Sequence, residues 1–235
     1  MEPWFETAFG RDYLTVYAAR SVEAAAADVA IVVDALGLEP GHRILDLACG
    51  AGRYSGPFVD GGFDVTGLDY SRDLLAAASA AVPRARFTRG DMRDLPFAGG
   101  FDAVVMFFTS FGYFETDAEH ERVLAEVARV LTPGGRFLLD YVRRDEVIAS
   151  LVPESSEERA GVRIDARRRI TGDGRRVEKD VELTRPDGST LTYTESVRLY
   201  EPGEVRAMMV DAGFGEIDAI DAPAPRLLLT ARRAC

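Results

Sequence analysis

Short apolar runs alternate with helical patterns over the first two thirds of the chain. The apolar runs predict strands at Arg43–Ala48, Phe63–Leu68, Ala85–Thr88, Phe101–Phe107 and Arg136–Val142. The fourth run, Phe101–Phe107, is strongly apolar, which is typical of a strand that is covered on both faces. Strands that alternate with helices in this way predict a parallel sheet with helices on both sides. Such sheets bind ligands beyond the carboxyl ends of their strands.

The predicted helices carry clear start signals. Ser71 is placed to cap the helix after the second strand, and Thr116-Asp117-Ala118-Glu119 forms a capping box ahead of the helix after the fourth. Before the first strand, the alanine-rich segment from Asp12 to Leu36 has an apolar stripe at helical spacing. Residues 1–37 are therefore expected to form a helical cap.

The hydrophobic period changes at about Arg159. Apolar and polar residues then alternate along three stretches up to Tyr200, with turn signals at Thr171–Gly174 and Arg185–Gly188. This pattern predicts a three-stranded antiparallel β insertion over residues 159–200, within a single domain that spans 1–235. The pattern fits a lid over a ligand and a contact between subunits equally well.

The last two predicted strands, Glu216–Ile220 and Arg226–Thr230, are joined only by Asp221–Pro225. A parallel pair needs a crossover of about a dozen residues, so the last strand must return antiparallel. A nicotinamide-binding Rossmann domain would normally continue with parallel strands at this point. The predicted fold class is therefore α/β, with a Rossmann-like seven-stranded sheet that ends in an antiparallel hairpin.

Composition narrows the range of functions. The chain has 235 residues and a net charge of −11, which disfavours a nucleic-acid partner. Lys179 is the only lysine, and His42 and His120 are the only histidines, so neither a lysine nucleophile nor a metal site is expected. Cys49 and Cys235 are not expected to form a disulfide framework, and neither a membrane span nor a secretory leader is expected from the sequence. These features predict a cytoplasmic protein with no membrane partner.

Five motifs follow one another along the predicted sheet. In order they are DLACGAGR, LDYS, GDMRDLPF, FDAVVMFFTSFGYF and LTPGGRFLLD. This ordered set resembles the class I S-adenosylmethionine-dependent methyltransferases over roughly residues 41 to 215. The resemblance implies S-adenosyl-L-methionine as cofactor and S-adenosyl-L-homocysteine as product. The segment GAGRYS also departs from G-x-G-x-x-G, because Ser55 stands at the third glycine position, which disfavours a dinucleotide.

The resemblance implies cofactor contacts from the residues that end the first two strands. Gly50 and Gly52 would let the backbone approach the methionine part of the cofactor, and Ala48 replaces the first glycine of the family pattern. Asp46 resembles the acid that holds this loop and faces the cofactor's ammonium group. Asp69 would accept hydrogen bonds from both ribose hydroxyls. The alternative role for both acids is turn formation.

Further cofactor contacts are implied along the following strands. Tyr70 would cover the adenine, and Asp91 resembles the residue that accepts from the adenine amino group, although it could instead cap a turn. Met92 would donate its backbone N–H and pack on the ring. Phe107 ends the fourth strand beside the expected sulfonium. Cys49 belongs to the glycine loop and is expected to be a small buried residue there.

An N-terminal helix face combines Tyr13, Tyr17 and Arg20, which are spaced i, i+4 and i+7. Methyltransferases of this kind often close such a helix over the cofactor. The resemblance therefore implies that Tyr17 and Arg20 meet the cofactor's carboxylate and that Tyr13 lies nearer the acceptor. The alternative is a helix that its aromatic residues simply pack in place.

Candidates for the acceptor side lie after the fourth and fifth strands. Tyr113 and Phe114 would shape an apolar pocket whose aromatic faces attract a methylated cation. His120 is a candidate base, with a solvent-facing helix position as the alternative. Asp140 and Tyr141 end the fifth strand and could face an amine.

These features predict a methyltransferase that acts on a small molecule, with N-methylation slightly favoured over O-methylation. An amine has only to arrive neutral, whereas a hydroxyl usually needs a base. The chain looks similar to bacterial amine methyltransferases of secondary metabolism, including glycine and amino-sugar types, and the insertion could join subunits into a homo-oligomer. The alternatives are a non-catalytic module that binds the same cofactor and a nucleotide-dependent oxidoreductase.

Overall fold

A computed structural model describes residues 4–16, 22–171, 173–220 and 222–234 of the chain. Among these residues, three helices precede the first strand, namely α1 (Trp4–Ala8), α2 (Arg11–Val16) and α3 (Val22–Ala35). Two of them, α2 and α3, overlap the alanine-rich segment that was expected to be helical. Tyr17 and Arg20 lie outside the described residues.

Strands and helices then alternate as the sequence predicts. In chain order they are β1 (Arg43–Leu47), α4 (Ser55–Asp60), β2 (Asp64–Asp69), α5 (Arg72–Ala81), β3 (Arg86–Arg89), β4 (Phe101–Met106), α6 (Asp117–Val130), β5 (Leu131–Val142) and α7 (Arg144–Ala149). Both predicted caps are present: the Ser71 hydroxyl accepts from the Leu74 N–H, and Thr116 and Glu119 form the reciprocal capping box.

The remaining elements are an inserted sheet and the C-terminal helix with its hairpin. They are β6 (Glu154–Arg159), β7 (Val162–Thr171), β8 (Arg176–Thr184), β9 (Thr190–Arg198), α8 (Pro202–Asp211), β10 (Phe214–Ile220) and β11 (Arg226–Arg233). The inserted sheet has four antiparallel strands in the order β6-β7-β8-β9, so the expected count of three is wrong. The missed strand, ESSEER, is exposed along almost its whole length and has no apolar alternation to reveal it.

The main sheet has seven strands in the order β10-β11-β5-β4-β1-β2-β3. Strands β1 to β5 pair in parallel, whereas β11 is antiparallel to both β5 and β10. The predicted α/β class and terminal antiparallel hairpin are therefore confirmed. Within the described part of the chain, no helix is long and apolar enough to cross a membrane.

Strand β5 begins earlier than predicted. Helix α6 ends at Val130 and the strand starts at once with Leu131, which pairs with Phe101. The next partners are Ala103 and Arg136, so the Pro133-Gly134-Gly135 turn is absorbed as an irregularity in the strand.

Two apolar cores cover the faces of the main sheet. One joins the sheet to α6 and α8, and the other joins it to α3 and α4. A third, smaller core lies under the inserted sheet, where Ala8 and Trp4 of α1 pack on residues of β7, β8 and β9. An ion pair between Asp12 and Arg185, 2.7 Å apart, adds to this contact. The N-terminal cap and the insertion are thus packed on each other.

Candidate active site

A cavity of about 910 Å³ opens at the carboxyl ends of β1, β2 and β4. This is the edge where a parallel sheet of this type binds its ligand. The cavity is lined by most of the residues that the sequence singled out, together with the N-terminal cap. The predicted residues among the lining are Tyr13, Asp46, Ala48, Cys49, Gly50, Gly52, Asp69, Tyr70, Asp91, Met92, Phe107, Tyr113 and Phe114.

The loop after β1 takes an unusual backbone path. Ala48, Gly50 and Gly52 have φ angles of 61°, 55° and 78°, in the left-handed region that favours glycine. A Cβ built on Gly50 would meet nothing within 4 Å, so this glycine faces open space at the cavity wall. A Cβ on Gly52 would lie 3.2 Å from Ala78 and 3.3 Å from Phe87. Gly52 is therefore needed for packing against α5 and β3.

The Cys49 side chain lies next to Gly67 of β2, where a larger residue than glycine would clash with it. It is 8% exposed, and a Cβ built on Gly67 would lie only 2.8 Å from its sulfur. Burial raises the pKa of the Cys49 thiol well above its usual value, and the nearby carboxylates of Asp46 and Asp69 act in the same direction. Cys49 is thus a small buried residue that packs within the glycine loop, as expected from the sequence.

Asp69 ties the ends of β1 and β2 together. Its Oδ2 accepts the Gly50 N–H at 2.8 Å, and its Oδ1 accepts the Ser71 N–H at the same distance. The side chain is buried, and burial raises its pKa although both backbone hydrogen bonds lower it. A carboxylate has about four acceptor sites, so Asp69 retains acceptor capacity toward the cavity.

Asp46 lies deeper than Asp69, at the end of β1. It is 1% exposed and accepts a hydrogen bond from the Ser55 hydroxyl at 2.6 Å. Burial raises the pKa of Asp46 to about 6, against the opposing effects of Ser55 and the Arg53 charge. The side chain is thus held in place by α4 while it contributes negative charge to the cavity wall.

Asp91 and Met92 form the wall that follows β3. Both oxygens of Asp91 are engaged by the Arg93 guanidinium, which also pairs with Glu119 on α6. Burial opposes ionisation of Asp91, but the hydrogen bonds from Arg93 prevail and lower its pKa. Asp91 is therefore a fixed carboxylate that keeps lone pairs available, and Met92 packs against the core beside it.

Aromatic side chains from α1, α2 and the link between them line the cavity on the cap side. The Phe9 ring contacts those of Tyr13 and Tyr113 at centroid distances of 5.0 and 5.7 Å. The Tyr70 hydroxyl donates to Glu6 at 2.6 Å, and its ring meets Phe5 edge-on. These contacts join the cap to the ends of β2 and β4.

The end of β4 presents two phenylalanines with different surroundings. Phe107 is buried and stacks on Tyr54 at 3.8 Å between centroids, with the rings 9° from parallel. Phe108 is 38% exposed and has a φ of 64°, which is unusual for a bulky residue. Its N–H donates to Asp140 at 3.1 Å, and this hydrogen bond helps to hold the turn.

His120 does not occupy a solvent-facing position, and that alternative is wrong. It is fully buried, with Nε2 accepting the Phe114 N–H at 3.1 Å and Nδ1 lying 2.8 Å from the Tyr200 hydroxyl. A neutral imidazole that accepts at Nε2 must donate from Nδ1. Burial lowers the pKa of His120 to about 4. His120 is not among the described residues that line the cavity.

Asp140 and Tyr141 do not face the cavity either, so their expected position is wrong. Asp140 is 1% exposed and pairs with Arg226 of β11 at 2.9 Å. The Tyr141 hydroxyl donates to the Arg198 carbonyl and accepts the Tyr200 N–H. The polar groups of both side chains are therefore engaged in contacts that hold β5 against neighbouring segments.

Several lining residues were missed at the sequence level, above all Phe5, Phe9, Arg53 and Tyr54. The aromatic residues of MEPWFETAFG precede the helical segment predicted from Asp12 onward, and nothing in their spacing points to a ligand. Arg53 and Tyr54 follow Gly52 directly, so their place next to the glycine loop was the available signal.

The residues fit a nucleoside that bears an amino-acid tail. Gly50 leaves open space at the cavity wall, Asp69 offers a buried carboxylate with spare acceptor sites, and Met92 and Tyr70 supply flat or flexible apolar surfaces nearby. A diol, an aromatic base and a cationic tail are the groups that such a lining accommodates.

Comparison with known proteins agrees with this fit. A family model described as a methyltransferase domain matches residues 44–135. The chain is 32% identical over 158 residues to the dTDP-3-amino-3,4,6-trideoxy-alpha-D-glucopyranose N,N-dimethyltransferase of Streptomyces venezuelae, covering 60% of this chain and 67% of that protein. It is 43% identical over 110 residues to the demethylmenaquinone methyltransferase of Renibacterium salmoninarum, covering 46% and 45%.

A solved structure extends the similarity over nearly the whole chain. CalS10, an amino pentose methyltransferase from Micromonospora echinaspora whose structure contains bound SAM, has a TM-score of 0.75 and 26% sequence identity, covering 95% of this chain and 97% of that one. The chain therefore belongs to the class I S-adenosylmethionine-dependent methyltransferases. It spans under half the length of the demethylmenaquinone methyltransferases that it matches, 42–45%.

Proposed function

We propose that the chain binds S-adenosylmethionine in this cavity and catalyses methyl transfer to a small-molecule acceptor, an amine in preference to a hydroxyl. When bound, the cofactor would supply a methyl group on a sulfonium centre. An acceptor lone pair would bond to the methyl carbon in line as the carbon–sulfur bond breaks, which leaves S-adenosylhomocysteine. The observation that carries the proposal is the Gly50–Asp69 pair at the tips of β1 and β2, which lines the cavity with a buried carboxylate beside an open glycine.

Each predicted cofactor-binding residue in the cavity is assigned to one part of the cofactor according to its position. Asp69 takes the ribose hydroxyls, and Asp91 with Met92 takes the adenine, with Tyr70 over its other side. Asp46 contributes negative charge near the cofactor's cationic end. Ala48, Cys49 and Gly52 shape the loop, and Phe107 backs the sulfonium region. Tyr17 and Arg20 keep their predicted role at the cofactor carboxylate, although they lie outside the described residues.

The cap and the loop after β4 would hold the acceptor. Tyr13, Phe9 and Tyr113 pack together at the cavity mouth, where they exclude water and present aromatic faces. Positive charge passes from sulfur to the acceptor nitrogen during the reaction, and aromatic faces stabilise such a cation. Positioning and exclusion of water supply most of the rate for an already activated donor.

The amine preference rests on the groups that surround the cavity. Among its described lining residues there is no histidine and no lysine. Both ring nitrogens of His120 are hydrogen-bonded, to the Phe114 N–H and the Tyr200 hydroxyl. The carboxylates of the lining are assigned to the cofactor, apart from Asp60, which pairs with Arg84. A hydroxyl acceptor would therefore lack an unassigned base, whereas an amine needs only to be neutral on arrival. The Streptomyces venezuelae relative is an N,N-dimethyltransferase and CalS10 is an amino pentose methyltransferase, which favours the same choice.

The test combines binding with turnover. Calorimetry should show binding of S-adenosylhomocysteine and no binding of NAD, and binding of NAD alone would favour the oxidoreductase alternative. The protein is then incubated with methyl-labelled S-adenosylmethionine and metabolite pools enriched in amines, phenols or carboxylic acids. Label in the amine pool supports the proposal, whereas label only in DNA, RNA or protein contradicts it. Binding without turnover in any pool would favour a non-catalytic module.

A further inference from the structure

Arg53 stands apart in the cavity because it is the only cationic side chain among the described lining residues. The lining also contains the carboxylates of Asp46, Asp60, Asp69 and Asp91. No hydrogen bond or ion pair within the described part of the chain engages the Arg53 guanidinium, although Asp46 lies within its electrostatic field. A half-buried guanidinium has five N–H donors, and such groups normally find partners.

The guanidinium lies over two aromatic rings. Its central carbon lies 4.4 Å from the Tyr54 ring centroid and 4.6 Å from that of Phe108. Stacking on ring faces fixes the guanidinium by cation–π attraction, while its N–H groups remain at the edge of the plane. Arg53 is thus oriented without losing its hydrogen-bonding capacity.

Both rings are anchored to one partly buried ion-pair network, in which Asp140 is the buried member. The Tyr54 hydroxyl donates to Asp28 at 3.0 Å, and the Phe108 N–H donates to Asp140 at 3.1 Å. Arg226 of β11 joins the two acids, at 2.8 Å from Asp28 and 2.9 Å from Asp140. The network also holds Phe108 at its left-handed φ of 64°. Strain of this kind is usually retained where it serves a site.

We propose that Arg53 is a specificity-determining residue that binds an anionic group of the acceptor, either a carboxylate or a phosphate. This inference rests on the proposed methyl transfer. Phe108 links the stacked guanidinium to the cavity mouth, because it also lines the small adjoining pocket with Tyr13 and Tyr113. The four aspartates of the lining would repel an anionic acceptor. The Arg53 guanidinium, fixed beside Phe108, would attract the anionic group and offset that repulsion.

The first test measures anion binding directly. Protein saturated with S-adenosylhomocysteine is titrated calorimetrically with acetate and, separately, with inorganic phosphate, at constant ionic strength. The wild type is expected to bind one of the two, which identifies the anion, and Arg53→Met should weaken that binding at least tenfold. Arg89→Met is the matched control, because Arg89 stacks on Tyr70 at 5.0 Å but does not line the cavity. Equal binding by wild type and Arg53→Met contradicts the proposal, as does the absence of binding by both anions.

The second test separates the acceptor from the cofactor's own carboxylate. Affinities for S-adenosylhomocysteine and for methylthioadenosine, which lacks the amino-acid tail, are compared in wild type and Arg53→Met. We expect both affinities to change less than twofold. A selective loss for S-adenosylhomocysteine would assign Arg53 to the cofactor and overturn the acceptor assignment.

The third test uses turnover. Acceptors labelled by the wild-type protein are separated by anion exchange at about pH 11, above the ordinary amine pKa of about 10.4. The methylated amine is then uncharged and no longer cancels the acceptor's anionic group, so label is expected in the retained fraction. For that fraction, Arg53→Met should lower kcat/KM at least tenfold mainly through KM, and Arg53→Lys should restore part of the loss because it keeps the charge without the stacked plane. Label confined to the unretained fraction overturns the inference but leaves methyl transfer intact. An absence of label in every fraction contradicts the proposed function, and the anion titration still decides the role of Arg53.

Discussion

The carboxylate of Asp69 accepts the backbone N–H of Gly50 at 2.8 Å, across the tips of two neighbouring parallel strands. One acid therefore performs two tasks. It fixes the loop in which Gly50 leaves the cavity wall open, and it presents its remaining lone pairs to the ligand. A loop that is positioned before binding loses less conformational entropy when the ligand arrives.

Replacing Asp69 is expected to weaken cofactor binding strongly. Hydrogen bonds to a charged group are worth about 1.5–3 kcal/mol, so Asp69→Ala should lower the affinity for S-adenosylhomocysteine at least tenfold. Asp64→Ala is a matched control at the opposite end of the same strand, where Asp64 makes an exposed ion pair with Arg86. Calorimetry on both variants checks the prediction, and unchanged affinity in Asp69→Ala would refute the ribose assignment.

Ala48 offers a test of strain in the loop. Its φ of 61° is in the left-handed region, which costs a non-glycine residue about 1–2 kcal/mol. The greater entropy of an unfolded glycine offsets part of that cost. Ala48→Gly should therefore raise the free energy of unfolding by up to about 1 kcal/mol. Urea denaturation measures the change.

The neighbouring Ala51 serves as the control for this substitution. It has no positive φ in the structure, so Ala51→Gly should be destabilising by roughly 0.5–1 kcal/mol. If the two variants change stability in the same direction, strain at Ala48 is not the cause.

Tyr193 carries the one buried side-chain polar atom without a hydrogen-bond partner in the described part of the chain. An unsatisfied buried hydroxyl costs about 1–3 kcal/mol. Tyr193→Phe removes that cost and keeps the ring in the core under the insertion, so it should raise Tm by a few degrees. Tyr200→Phe should lower Tm, because the Tyr200 hydroxyl contacts both His120 and Asp117. Differential scanning calorimetry compares the two variants, and a lower Tm for Tyr193→Phe would show that its hydroxyl is satisfied in solution.

The elements that the sequence predicted well are those set by local rules. The hairpin of β10 and β11 follows from a connection too short for a parallel crossover, and the helix start at Thr116 follows from a capping box. The acids at the ends of β1 and β2 could be placed beside a ligand because parallel strands bring their carboxyl ends to one edge.

The features that were missed depend on partners distant in the chain. Strand β6 is a strand because it pairs with β7, since its own residues carry no alternation. His120 is buried because Tyr200, eighty positions later, covers it. Phe108 adopts its left-handed φ in a turn held by Asp140 and, through it, Arg226. No pattern within a short window of sequence contains such information.

Asp46 and His120 are expected to give opposite pH dependences of stability. The pKa of Asp46 is about 6 in the folded protein, against a usual value of 3.8. Between these values the folded state keeps a proton that the unfolded state releases, so stability falls as pH rises through this window. The pKa of His120 is about 4, against a usual 6.5. Here the unfolded state holds the extra proton, so stability rises with pH.

Each group changes the free energy of unfolding by on the order of 3 kcal/mol over its full pH window. Because the two windows overlap between about pH 4 and 6, the two changes largely cancel in the wild type. Asp46→Asn should remove the falling component, so its stability relative to wild type should increase from pH 4 to pH 6. His120→Gln should show the reverse trend, with its deficit relative to wild type growing as pH rises. Urea unfolding at pH 4, 5, 6 and 7 gives both difference curves. Differences that do not vary with pH would mean that neither group titrates with a shifted pKa. In the double variant, which carries Asp46→Asn and His120→Gln, the two opposite pH trends should cancel if the groups act independently.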